Sequence, residues 1–181
     1  MKRPMKRLSV LLITLLLAGC AEQTPEIASG EVLPCTDISY EAKWVGGPEV
    51  ECLDGTPGLQ LSALRGPMVV NVWGSWCAPC EAEMPYFRSF YEKAKGKVEL
   101  VGVAVEEAKP QDAKDFVVRN GITWPNLIDT QGSSRSYFGM GVPVTWFIDK
   151  AGVVTFKKSG EIKSKKELVT LTNKYLGVDL S

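Results

Sequence analysis

Histidine is absent from all 181 residues of this chain. That absence removes Ser-His-Asp and Cys-His catalysis, histidine-ligated metals and histidine pH switching together. A charge excess of one sign is also missing, since 21 Lys and Arg stand against 21 Asp and Glu for a formal net charge of zero. Four of the basic residues, Lys2, Arg3, Lys6 and Arg7, precede Cys20, so the rest of the chain is net acidic. No nucleic-acid partner is expected, because such a partner calls for a basic surface. Internal repeats and low-complexity segments are lacking too, and the apolar run at residues 8–17 is shorter than the ~20 residues of a membrane-spanning helix. With 181 residues the chain is one ordinary domain plus an appendage, long enough to bury a core. Five cysteines remain as the residues with distinctive chemistry.

The N-terminus has three parts: the basic residues just named, the apolar run 8–17, then Ala18-Gly19 before Cys20. This is the plan of an export signal. Leu17-Ala18-Gly19-Cys20 further resembles the lipobox of bacterial lipoproteins, which implies removal of residues 1–19, lipidation of Cys20 and an extracytoplasmic protein anchored to the cell membrane. A plain cleaved signal with a free cysteine is the alternative. Residues 20–34 are polar, as suits a flexible tether.

Trp76-Cys77-Ala78-Pro79-Cys80 follows directly on the apolar run Met68-Val69-Val70-Asn71-Val72-Trp73. A strand that delivers C-x-x-C to the first turn of a helix builds a redox site, because the helix N-terminus stabilises a thiolate on the first cysteine. A zinc site would need about four Cys or His ligands, and the other cysteines are widely spaced. A structural bridge across so small a loop would remove little chain entropy. Redox chemistry is therefore expected, with neither metal nor cofactor. Setting aside Cys20 and this pair leaves Cys35 and Cys52, which outside the cytoplasm most economically bridge each other. A loop of about 15 residues corresponds to about 3 kcal/mol in the chain-entropy model. A second, partner-facing redox couple is the alternative, although neither cysteine opens a helix.

Residues 35–58 are poorly periodic and read as a hairpin-like extension, with Gly46-Gly47-Pro48 as a turn signal. Residues 59–66 suggest a short strand and turn, and 68–73 a strand buried on both faces. A helix over 77–94 and a second buried strand over 98–105 follow. Pro110 suits the first turn of a helix that stops at Gly121. An extended piece at 123–128 and a short helix near 134–138 precede a hairpin of residues 144–148 and 153–156. Ser164-x-x-Glu167 reads as a capping box opening the last helix, with Gly177 just past its end. This order predicts an α/β fold, a central mixed sheet flanked by helices.

Val70-Asn71-Val72-Trp73-Gly74-Ser75-Trp76-Cys77-Ala78-Pro79-Cys80-Glu81-Ala82-Glu83-Met84-Pro85, with Gly141-Val142-Pro143-Val144-Thr145-Trp146-Phe147-Ile148-Asp149, resembles the TlpA/ResA branch of thioredoxin-like proteins. The similarity covers residues 59–176, places the thioredoxin-like domain at 59–181 and leaves 20–54 outside it. It implies a thioredoxin-like fold in which residues 106–128 are an inserted helix and strand. By this resemblance Cys77 is the attacking thiolate, Cys80 resolves the mixed disulfide and Trp76 shields one side of the pair. Pro143 takes the place of a cis-proline, so that Val142 and Pro143 present backbone to an extended substrate. Asn71 stands where thioredoxins carry a buried aspartate, and that proton route is missing. Glu83 matches the glutamate of C-x-x-C-x-x-E-x-P, where a partly buried carboxylate keeps thiols protonated and could shuttle the proton of Cys80. A solvated helix glutamate is the plainer alternative.

The implied function is a membrane-tethered thiol-disulfide oxidoreductase. It would receive electrons from a CcdA-type membrane thiol transporter and reduce apocytochrome c, or other extracytoplasmic protein thiols, during cytochrome c maturation. The alternative is a disulfide-forming oxidant for folding of secreted proteins, since tenfold in the equilibrium constant is only about 30 mV. A peroxidase of this fold family would carry P-x-x-x-T-x-x-C, and no such run occurs. A non-enzymatic binding lipoprotein would not be expected to keep the C-x-x-C pair intact.

Overall fold

A computed structural model describes residues 29–43, 46–139 and 141–180. The export segment, Cys20 and tether residues 20–28 lie outside the described residues. Among the described residues seven strands form one sheet: β1 (Glu49–Cys52), β2 (Leu59–Gln60), β3 (Met68–Trp73), β4 (Glu99–Val105), β5 (Asn126–Asp129), β6 (Val144–Ile148) and β7 (Val154–Ser159). Their order is β2-β1-β5-β4-β3-β6-β7, so β3, the strand that leads into C-x-x-C, lies inside the sheet. The ladders β3–β4 and β4–β5 are parallel, while β1–β5, β3–β6 and β6–β7 are antiparallel. All six residues of β3 are buried, which accounts for a run that is apolar at every position but Asn71.

Alternation along β3 separates two cores. Val69 and Trp73 pack with Phe87 and Phe90 of α1 (Ala78–Ala94), Phe116 of α2 (Pro110–Arg119) and Leu168 of α4 (Lys165–Leu176). Val70 and Val72 pack on the other face with Ile38, Leu61 and Leu64 of the N-terminal segment and Phe138 of α3 (Arg135–Phe138). Parallel strands wound around helices bring strand C-termini and helix N-termini to one edge. C-x-x-C sits at that edge.

Residues 35–58, read as a hairpin-like extension, contribute β1 to the sheet. Val50 and Cys52 point inward from β1, which pairs with β2 on one side and β5 on the other. The boundary expected between residues 58 and 59 therefore falls inside a β-hairpin, and residues 49–60 extend the main sheet. Four residues alternating exposed and buried are too short a signal to stand out. The helix caps follow the sequence more closely. Ser164 Oγ accepts the Glu167 N–H at 3.1 Å, but Glu167 reaches back to the N–H of Lys163 rather than that of Ser164. Gly177 ends α4 at φ 65°, a left-handed conformation that glycine adopts without a Cβ clash. Among the described residues no helix is long and apolar enough to cross a membrane.

Candidate functional site

Cys77 is the N-cap of α1 and is joined to Cys80 by a disulfide with a Cα–Cα distance of 5.2 Å. Cys77 Sγ also accepts the Cys80 N–H at 3.2 Å. A sulfur in this position lies at the positive end of the helix dipole, where a thiolate is stabilised once the bond opens. The two sulfurs are not equivalent. Cys77 is 5% exposed and Cys80 fully buried, so an incoming reactant reaches Cys77 first.

Trp76 stands out at 55% exposed, and its indole N–H donates to the Glu106 carbonyl at 3.1 Å. Gly74 makes room for it, since a Cβ there would lie 2.7 Å from the indole ring. Glu106 has φ 56° and its carboxylate pairs with Arg135. Trp76, Val72, Val105, Phe138 and Val142 line a mostly apolar groove with the Glu106–Arg135 pair at its rim. Val142–Pro143 is a cis peptide, and a second groove runs beside it along Val144 and Ser159. Ser75 is held by Glu107, which accepts its N–H at 2.6 Å and its hydroxyl at 2.5 Å. Arg119, stacked on Phe116, reaches both the Ser75 carbonyl and Glu81.

Glu83 lies on the helix face of Cys80, three residues on, and is fully buried. Asn71 Nδ2 donates to its Oε1 at 2.7 Å and the Ile162 N–H to its Oε2 at 2.8 Å. Burial pushes its carboxyl up to about 7, helped by the charge of Glu161 and opposed by those two hydrogen bonds and by Lys158. Glu83 is therefore not a solvated helix glutamate. The buried carboxylate reaches β3 from α1, held there by Asn71.

Trp76, Cys77, Cys80 and Glu83 thus gather at the start of α1, and the groove brings Val142, next to Pro143, to the same place. Cys35 and Cys52 do not join them. They are bridged at a Cα–Cα distance of 5.9 Å, buried in the core on the opposite face of the sheet. No cluster among the described residues could hold a metal. Sequence reasoning missed Glu106, Glu107, Arg119 and Arg135. Two consecutive carboxylates directly after an apolar parallel strand, at the sheet edge where sites collect, were the available signal for the first two.

Residues 47–157 match the family model described as AhpC/TSA family. The chain belongs to that family. It is 42% identical over 98 residues to the thiol-disulfide oxidoreductase ResA of Geobacillus thermodenitrificans, covering 52% of this chain and 56% of that protein. The chain thus spans little more than half the length of that curated relative. Among solved structures it resembles MTB dsbF in its mixed oxidised and reduced forms, with 28% identity, TM-score 0.62, 72% of this chain and 99% of the other. StoA from Bacillus subtilis matches at 26% identity and TM-score 0.56, over 67% and 92% of the two chains. The thioredoxin-like α/β fold and the likeness to ResA, first read from the two motifs, are both borne out.

Proposed function

We propose that this member of the AhpC/TSA family is an extracytoplasmic thiol-disulfide oxidoreductase, tethered through a lipid on Cys20, that reduces disulfides in other proteins. Residues 1–19 would be the export signal and 20–34 the tether, although Gly30 and Glu31 at its end already hydrogen-bond to Val118 and Ile122 and so dock on the domain; 59–181 would be the thioredoxin-like domain, to which the hairpin adds its first strand. The observation that carries the reading is the graded pair at the start of α1: Cys77 at the surface edge, Cys80 sealed, Glu83 buried on the same helix face.

In the reduced protein the Cys77 thiolate attacks one sulfur of a substrate disulfide, forms a mixed disulfide and releases the other sulfur as a thiolate. Cys80 then gives its proton to the Glu83 carboxylate and attacks Cys77 Sγ. The mixed disulfide breaks, the second substrate thiolate leaves, and Cys77–Cys80 closes. Two electrons pass from the pair to the substrate. A carboxyl raised to about 7 is poised to take that proton near neutral pH. Trp76 and the Val142–Pro143 backbone flank the path by which an extended substrate would approach.

The substrate favoured is oxidised apocytochrome c before haem attachment, with a CcdA-type membrane thiol donor returning electrons to the pair. A tether keeps the site at high effective concentration beside such partners. Deleting the gene should impair maturation of c-type cytochromes, and an external thiol reductant should restore it. Loss of disulfides in secreted proteins, with cytochromes c intact, would select an oxidant instead and reverse the direction of electron flow.

A further inference from the structure

Two buried polar atoms near the reactive pair lack the partners their burial calls for. Asn71, Glu83 and Thr145 are all fully buried. Asn71 uses its Nδ2 on Glu83, yet its Oδ1 makes no hydrogen bond, nor does Thr145 Oγ1. Such orphans are costly and rare inside proteins. Their placement is informative, because Asn71 and Thr145 sit directly opposite each other in the antiparallel β3–β6 ladder. Opposed residues project from the same face with Cβ atoms about 5 Å apart. Modest side-chain rotation brings an amide and a hydroxyl into contact there.

An amide beside a hydroxyl can satisfy either charge state of a neighbouring carboxyl. The two ends of Asn71 are alike in shape and opposite in kind, and a threonine hydroxyl both donates and accepts. With Glu83 ionised, Asn71 turns its NH₂ toward the carboxylate and its Oδ1 toward Thr145, whose O–H donates to it. With Glu83 protonated, the carboxyl O–H requires an acceptor. A half-turn of the amide supplies Oδ1, and the displaced NH₂ donates to Thr145 Oγ1. No polar atom of the three side chains is stranded in either state. Glu83 is otherwise faced by Cys80 from its own helix and by Ile162 N–H, Lys158 and Glu161 from β7 and the segment after it. Of the two groups that hydrogen-bond Glu83, only the Asn71 amide can exchange donor for acceptor.

We propose that Thr145 is a positioning residue: acting through Asn71, it holds the donor end of the amide on ionised Glu83 and lets that carboxyl exchange a proton without stranding a buried polar atom. The inference rests on the reading of Glu83 as proton acceptor for Cys80. Its test is a carbon NMR titration of the oxidised full chain, in which the paired cysteines do not titrate, with glutamate carboxyls labelled and Glu83 assigned through Glu83→Gln. Thr145→Val should lower the Glu83 midpoint by about one pH unit, tenfold in proton affinity, because the protonated state then strands the Asn71 NH₂ while the ionised state strands only the more tolerant Oδ1. Thr145→Ser should return it to the wild-type value. With Asn71→Leu in place, adding Thr145→Val should shift the midpoint no further. Should the valine variant fail to fold, Thr145→Ala is expected to show the same fall. A Thr145 variant that changes thermal stability but titrates as wild type would overturn the proposal, as would a serine variant that titrates like the valine one. Disulfide exchange by the wild type is measured alongside. Exchange with an unmoved midpoint rejects only the role of Thr145, whereas absence of exchange rejects the oxidoreductase reading beneath it.

Discussion

Cys77 keeps a small exposed edge that Cys80, three positions on, lacks, and that difference orders the chemistry. After reduction, brief exposure to iodoacetamide should label Cys77 first, with a pKa below the unperturbed ~8.5, because it caps α1 and keeps an open edge. Mass mapping that finds Cys80 labelled first would reverse the assignment. Glu83 acts on the same pair through its charge. Glu83→Gln removes a negative charge that disfavours thiolates, so the apparent pKa of at least one thiol should fall; thiol titrations matching wild type would detach Glu83 from the pair. The residue also leaves a mark on stability. Its carboxyl is raised from 4.5 to about 7, so the folded state holds the proton more tightly than the unfolded chain, and the stability this contributes is present below pH 4.5 and lost as pH rises through 7. Relative to Glu83→Gln, wild type should lose up to about 3 kcal/mol across that window in urea unfolding series. The C-x-x-C pair was legible because a strand, two cysteines and a helix start lie within a dozen residues. The Asn71–Glu83 contact was not, since it joins a strand to a helix across 12 positions and no local pattern encodes it.

Elements were legible in proportion to their periodicity. β3, β4, α1 and the β6–β7 hairpin carry long apolar runs or clear turn signals, and they fall where the sequence puts them. β1 does not, because four residues give no period, and its place in the sheet is set by tertiary pairing with β5. Arg119 and Arg135 were invisible for a related reason: each is an ordinary helix arginine until α2 and α3 dock beside the Ser75–Trp76 turn. The bridge between Cys35 and Cys52 ties the N-terminal segment to β1 across 17 positions. Buried on the sheet face away from α1, it should survive mild reduction that opens Cys77–Cys80, as peptide mapping would show; free Cys35 and Cys52 in protein isolated from cells would refute a structural role. Removing the bridge with Cys35→Ala and Cys52→Ala should cost about 3 kcal/mol in urea unfolding while leaving thiol exchange intact.

At the scale of the whole molecule, the sheet divides two tasks. One face, under α1, α2 and α4, carries the reactive pair and the buried carboxyl; the other, under the N-terminal segment and α3, carries the second bridge. Both meet at the sheet edge, where the groove takes Val72 and Phe138 from one core and Trp76 from the start of α1. A reductant tethered outside the membrane must keep its pair charged with electrons between turnovers. The redox state of Cys77 and Cys80 in living cells, trapped by acid quench and read by maleimide gel shift with Cys35 and Cys52 as the oxidised internal reference, tests this directly. Cys77 and Cys80 should be mostly reduced at steady state and become oxidised when the membrane thiol donor is removed. A pair that stays oxidised in wild-type cells would contradict the reductant role.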